Sequence, residues 1–85
     1  IAGKETLSKT PTVSKSKNRT HAVVAPLQKY FNSLGYDCGE VDKIAGNKFD
    51  AAVKEFQEDK KIMIKGDGEL TAQGDTWKYI LGLKK

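Results

Sequence analysis

The chain has 85 residues, of which 38% are hydrophobic and 31% are charged, and its formal net charge at pH 7 is +4. A chain of this length forms at most one small domain, whose limited core argues against a large enzyme cleft. No apolar run approaches the roughly 18 residues that span a bilayer, and no signal-like segment opens the chain. Because the sequence begins without Met, we expect it to be a fragment of a longer protein, with any export signal elsewhere.

The net charge lies entirely in residues 1–20. This segment carries five basic residues against one acidic residue, whereas residues 21–85 carry ten lysines and ten acids. The neutral remainder argues against a nucleic-acid-binding surface. Because residues 1–20 are rich in Ser, Thr and Lys and nearly lack spaced apolar residues, we predict a flexible tether to another domain. Electrostatic contact with an anionic polymer is the alternative role for this segment.

The first helix is predicted from about Val23 to Leu34. Pro26 suits its first turn, where the missing N–H has no helical partner, and Gly35 can supply a left-handed cap. Its apolar stripe has helical spacing: Val24, Leu27, Phe31 and Leu34.

A loop over residues 37–46 precedes the second predicted helix. Asn47 is a good N-cap for that helix, which we expect to end near Lys61. Asp50 and Lys54 are spaced to form an ion pair on its exposed side. The apolar residues again recur at helical spacing: Phe49, Ala52, Val53 and Phe56.

The third helix is predicted from about Asp75 to Leu81, and it should bury Trp77, Ile80 and Leu81. A short apolar segment at 62–64 and a glycine-rich turn at 66–68 come before this helix. The order of residues around the second and third helices suggests a faint internal repeat, with the second unit two residues longer. Its members are Val41-Asp42, Gly46 and Phe49, then Asp67-Gly68, Gly74, Thr76 and Trp77.

Three motifs lie in fixed order along the chain: VxxLQxxFxxLGY over 24–36, GxVDxxxG over 39–46 and AAVKxFQ over 51–57. Together they resemble the bacterial peptidoglycan-binding domain, a small three-helix module appended to cell-wall hydrolases. We therefore expect an all-α three-helix domain at 21–85, preceded by a flexible N-terminal tether at 1–20. The departures from the family pattern are Lys43 for Gly, Ala45 for an aromatic, Asn47 for Pro and Phe49 for Thr.

The resemblance implies a non-catalytic module that binds the peptide stem and glycan of peptidoglycan. It would hold a covalently linked hydrolase on the cell wall, in a secreted or wall-associated autolysin, spore-wall hydrolase or phage endolysin. We expect neither a nucleic-acid nor a membrane partner. The alternative function is a small three-helix nucleic-acid-binding domain, which would need basic residues concentrated on one helix.

The candidate ligand-binding residues are Tyr36, Asp37, Asp42, Lys43 and Trp77. Tyr36 follows a helix cap and is the exposed candidate; with Trp77 and Tyr79 it could form an aromatic platform, although Trp77 also fits the core.

Two interpretations of Asp42 are open: its carboxylate can accept hydrogen bonds from free N–H groups near the second helix, or it can contact ligand directly. Gly46 is expected to adopt a conformation closed to other residues. Gln28 and Gln57 flank apolar stripes and can bond to loop backbone.

No catalytic residue, metal or cofactor is expected. Asp37, Glu40 and Asp42 lack the ligand spacing of a calcium loop. Cys38 is interpreted as a small, partly buried residue rather than a nucleophile, because the single His21 lies at the edge of the tether.

Overall fold

The computed structural model describes the backbone of residues 4–83 and the side chains of residues 6–83. A single helical turn, α1 (Lys4–Leu7), precedes the three helices of the domain: α2 (Val24–Ser33), α3 (Asn47–Asp59) and α4 (Asp75–Ile80). The predicted all-α three-helix fold is confirmed, with helix ends close to those expected. Within residues 4–83, no helix is long and apolar enough to cross a bilayer.

All three domain helices end in the same left-handed cap. The residue after each final turn has positive φ: +93° at Gly35, +57° at Lys61 and +76° at Gly82. The next N–H then donates to a carbonyl five residues back, over 2.9 Å in α2 and α3 and 2.8 Å in α4. This pairing satisfies carbonyls that the helix would otherwise leave open. Gly35 therefore has the predicted role.

The start of α3 differs from the sequence prediction. Asn47 is the first helical residue, and the N-cap is Gly46, in extended conformation with φ −96° and no side-chain cap. Asn47 is therefore not the N-cap. The backbone at Gly46 has a negative φ and does not require glycine. The ion pair of Asp50 and Lys54 forms at 2.9 Å, but Asp50 is only 7% exposed. The backbone at Gly68 lies against its carboxylate and covers it.

Phe56 lies at the centre of the core. It is fully buried and packs edge-to-face against four aromatic rings, a geometry that aromatic pairs favour. Ring centroids lie 5.2 to 6.2 Å away, at Tyr30, Phe31, Tyr36 and Tyr79. Trp77, Ile80 and Leu81 are buried as predicted.

The N-terminal segment packs against the domain, which corrects the expectation of a flexible tether. Val13 is fully buried and exchanges two backbone hydrogen bonds with Leu70, at 2.9 and 2.8 Å. The indole N–H of Trp77 donates to the carbonyl oxygen of Pro11 at 2.9 Å. We refer to residues 8–14 as the arm.

Threonine side chains, rather than a run of apolar residues, fix much of the arm. The hydroxyl of Thr10 accepts from the Gln73 N–H at 2.8 Å, and that of Thr12 from the Ala72 N–H at 3.0 Å. The arm thus satisfies backbone donors in the loop before α4. Sequence periodicity missed it because one valine and two hydroxyl groups have no periodic pattern. The division of the chain into 1–20 and 21–85 stays a prediction.

We predict that Val13→Asp lowers the free energy of unfolding by several kcal/mol, on the order of 3, because it places a carboxylate in an apolar site. Urea denaturation measures the change. Thr20→Asp introduces the same group at an exposed position of the segment and should be nearly neutral. A flexible segment would give the same small effect in both variants, and that result would contradict the packed arm.

Candidate functional site

A cleft of about 330 Å³ opens between the loop after α2 and the first turn of α3. Its lining residues are Gln28, Cys38, Glu40, Asp42, Ile44, Gly46, Asn47, Lys48 and Phe49. A larger groove of about 480 Å³ lies between the arm and α4, but among the residues whose side chains the structure describes Lys78 is the one charged residue in its lining. The first cleft contains half of the GxVDxxxG motif and three charged side chains, so we take it as the candidate site.

The loop that borders the cleft is held by Gln28, a buried residue of α2 with 1% exposure. Its amide group donates to Asp42 Oδ1 at 2.9 Å and to the Ile44 carbonyl at 3.1 Å. Its Oε1 accepts from the Lys43 N–H at 3.1 Å, while Asp42 Oδ1 also accepts from the Ile44 N–H at 2.9 Å. We call this arrangement the first glutamine clasp.

The clasp holds Asp42 in its charged form. The hydrogen bond from Gln28, and then that from the Ile44 N–H, lower the pKa of Asp42. Because the folded-state pKa lies below the unfolded one, this stabilisation is present above the unfolded pKa and is lost as pH falls through the folded one. Asp42 therefore closes its own loop and does not cap α3, which corrects the capping interpretation.

A second glutamine clasp repeats the first at the loop before α4. The amide group of Gln57 donates to Asp67 Oδ1 and to the Glu69 carbonyl, both at 3.0 Å. Its Oε1 accepts from the N–H groups of Asp67 and Gly68 at 3.0 and 3.1 Å, and Asp67 Oδ1 accepts from the Glu69 N–H at 2.9 Å. The internal repeat seen in the sequence is thus a repeat of one hydrogen-bond pattern.

The two clasps differ in the residue that takes the left-handed conformation. Gly68 has φ +73° in the second clasp, whereas Lys43 has φ +65° at the matching position of the first. A side chain disfavours this conformation. The resemblance had identified Lys43 as a replacement for glycine, and the structure gives that replacement a physical cost.

Three of the five predicted ligand residues lie in the loop after α2. Asp42 lines the cleft, and Lys43 is exposed beside it. Asp37 is also exposed, and its Oδ1 accepts from the Gly39 N–H at 2.8 Å, which shapes the start of the loop.

The other two predicted residues are buried: the structure corrects the exposure expected of Tyr36, whereas Trp77 lies in the core as its apolar stripe predicted. Tyr36 is 8% exposed, and its hydroxyl donates to Asp59 Oδ2 at 3.0 Å. Burial, and then this hydrogen bond, raise the pKa of Tyr36 to about 12. Trp77 is 2% exposed, and its indole N–H donates to the Pro11 carbonyl oxygen of the arm. Tyr36 turns inward because the cap at Gly35 returns the chain onto Phe56.

Sequence reasoning did not select Glu40, Asn47 and Lys48 as ligand residues, although all three line the cleft. Only their positions in the sequence could have indicated a role at the cleft, because Glu40 lies inside the motif and Lys48 in the first turn of the next helix. Cys38 is buried, and burial, followed by the charge of Asp37, raises the pKa of its thiol to about 11. No group of three potential metal ligands occurs among the described residues.

We predict that Gln57→Leu lowers the free energy of unfolding by about 3 kcal/mol. It leaves the N–H groups of Asp67 and Gly68 without their acceptor, and unpaired buried donors are costly. Gln28→Leu should cost less, since the residues it holds are exposed. Chemical denaturation of both variants tests this; equal losses would contradict the difference in burial between the clasps.

We predict that Lys43→Gly raises the free energy of unfolding by about 1 kcal/mol, because glycine adopts positive φ without the clash of a side chain. Lys48→Gly is the matched control: it places glycine in α3 and should lower stability by up to about 1 kcal/mol. Urea midpoints compare the two. A loss of stability in both variants would show that Lys43 is not strained.

The comparison with protein families agrees with the fold and the cleft. The family model for the peptidoglycan binding domain matches residues 20–73, which is more than half of the chain and includes both clasps. No curated protein and no solved structure shows significant similarity to the chain. The family match, the three helices and the motif loop lead to one assignment: the chain belongs to the peptidoglycan-binding domain family.

Proposed function

We propose that the cleft beside Asp42 binds the peptide stem of peptidoglycan without cleaving it, and that the domain thereby holds a linked hydrolase on its substrate. Family membership supports a cell-wall binding role. The observation that carries the finer proposal is the presence of both charge signs in one cleft. Glu40 and Asp42 lie in its lining together with Lys48.

This lining suits a short peptide that carries both ammonium and carboxylate groups. The ionised carboxylate of Asp42 and that of Glu40 can accept from ammonium groups, while Lys48 can pair with a carboxylate. Ile44, which is 42% exposed, offers an apolar contact at the same cleft. Asp37 and Lys43 would contribute at its margin, whereas Tyr36 and Trp77 would act only through the core.

The surroundings of Cys38 and His21 support binding without cleavage. The raised pKa of Cys38, about 11, keeps its thiol protonated and unreactive near neutral pH. The Nδ1 atom of His21 accepts from the Val23 N–H at 3.0 Å, in the turn before α2. Neither group is arranged as a nucleophile with its base.

Nucleic-acid binding is less well supported, because three of the described lysines are already paired with carboxylates. Asp50 lies 2.9 Å from the ammonium of Lys54 and 3.7 Å from that of Lys15. Lys17 pairs with Glu69 at 3.3 Å. These three lysines are therefore less available to a phosphate-binding face.

A linked catalytic domain would benefit from such binding without any new chemistry. Retention on an insoluble polymer raises the local concentration of the attached enzyme around its substrate. We propose that the parent protein is a secreted or wall-associated hydrolase, of the autolysin or endolysin kind.

We predict that the protein sediments with purified, teichoic-acid-free peptidoglycan and releases no reducing sugar or new amine. The double variant Glu40→Gln/Lys48→Gln should lose about tenfold in affinity, roughly 1.4 kcal/mol, with little change in stability because both residues are exposed. Lys65→Gln, an exposed charge change outside the cleft lining, is the control.

Wild-type affinity in the double variant would refute the cleft as the binding site. Release of muropeptides by the isolated protein would refute a purely binding role.

A further inference from the structure

Two tyrosines from different helices pack on one buried phenylalanine ring and keep part of their own surface exposed. Tyr30 of α2 and Tyr79 of α4 are half-buried, and both pack edge-to-face on the buried ring of Phe56, with centroids 6.2 and 5.8 Å away. Burial, and then the charge that an ionised Tyr79 would carry, raise the pKa of Tyr30, which is consistent with neighbouring hydroxyl groups. Of the aromatic platform expected from sequence, only Tyr79 lies here.

Polar groups accompany the two rings. Asp59 follows Phe56 by three residues on α3, so both lie on the same side of that helix. One oxygen of Asp59 accepts from the buried Tyr36 hydroxyl, and the residue is otherwise exposed. The hydroxyls of Tyr30 and Tyr79 have no side-chain or backbone hydrogen-bond partner within residues 6–83. We call Tyr30, Tyr79 and Asp59 the tyrosine face.

The chemistry of this face selects among possible occupants. An apolar partner would bury two phenol hydroxyls without hydrogen bonds, which is costly. An anionic polymer would meet the charges of Asp59 and Glu55, both of which raise the pKa of Tyr36. A neutral sugar ring fits both features, since its C–H surface packs on aromatic rings and its hydroxyls pair with phenols and carboxylate.

We propose that the tyrosine face binds the sugar rings of the peptidoglycan glycan strand, as a second contact separate from the cleft beside Asp42. Gln28 lines the cleft, and Tyr30 lies two positions along α2, so their side chains leave that helix in nearly opposite directions. This inference rests on the proposed function, since it gives the peptide and the glycan of one polymer different sites.

Two probes separate the sites: glycan strands without peptide or charge, in the form of N-acetylglucosamine oligosaccharides, and the soluble stem peptide. Wild-type protein should bind both. Tyr30→Ala and Tyr79→Ala should each weaken glycan binding about tenfold, as truncation of a central aromatic contact does, and leave stem-peptide binding unchanged. Tyr30→Phe and Tyr79→Phe keep the packing on Phe56, so each tests the hydroxyl in a folded protein and should weaken glycan binding less.

Ile64→Ala is the control, because it removes an exposed apolar side chain outside the face and should change neither affinity. Wild-type protein that binds the stem peptide but not the glycan strands would overturn this inference while leaving the cleft intact. Glycan affinity unchanged in the Tyr30→Phe/Tyr79→Phe double variant would also overturn it. Glycan binding without stem-peptide binding would instead refute the cleft and support the tyrosine face.

Discussion

The fold depends on two buried glutamine side chains that organise loops with little regular structure. Gln28 and Gln57 are 1% and 0% exposed, and each amide both donates to and accepts from the loop that follows its helix. A buried amide has a strict requirement for partners, so the loop has few alternative positions. The same contacts fix Asp42 at the cleft, which links the stability of the core to the shape of the candidate site.

The N-terminal segment, which includes the arm, extends this scaffold across both repeats. The residue that follows each clasp is fully buried, Ala45 in the first and Leu70 in the second. Each donates its N–H to the N-terminal segment: Ala45 to the Arg19 carbonyl at 2.7 Å, and Leu70 to the Val13 carbonyl at 2.8 Å. A small helical bundle buries little apolar area in its core. The arm adds the buried side chain of Val13 to that core and covers Trp77. The segment therefore stabilises the helices.

The sequence predicted the three helices because their apolar spacing and caps act locally. It also predicted that Trp77 belongs with Ile80 and Leu81, since all three share one stripe. The burial of Asp50 was not predictable in this way, because the covering group at Gly68 comes from a distant loop. Tyr36 was misjudged for a similar reason: its partners Phe56 and Asp59 lie on another helix. The cleft residues Glu40 and Lys48 have no local pattern, because exposed positions are not constrained by packing.

The departures from the family pattern fall into two physical groups. Ala45 is a buried position, so its small side chain changes what the core contains beside the cleft. Lys43 and Asn47 are exposed; the backbone at Lys43 is held by the clasp, and Asn47 is the first residue of α3. Exposed residues of this kind can change without moving the loop, so the scaffold and the ligand contacts can vary separately. In the binding mode that we propose, ligand preference would therefore be determined by a few exposed side chains on a loop whose shape is set from the interior.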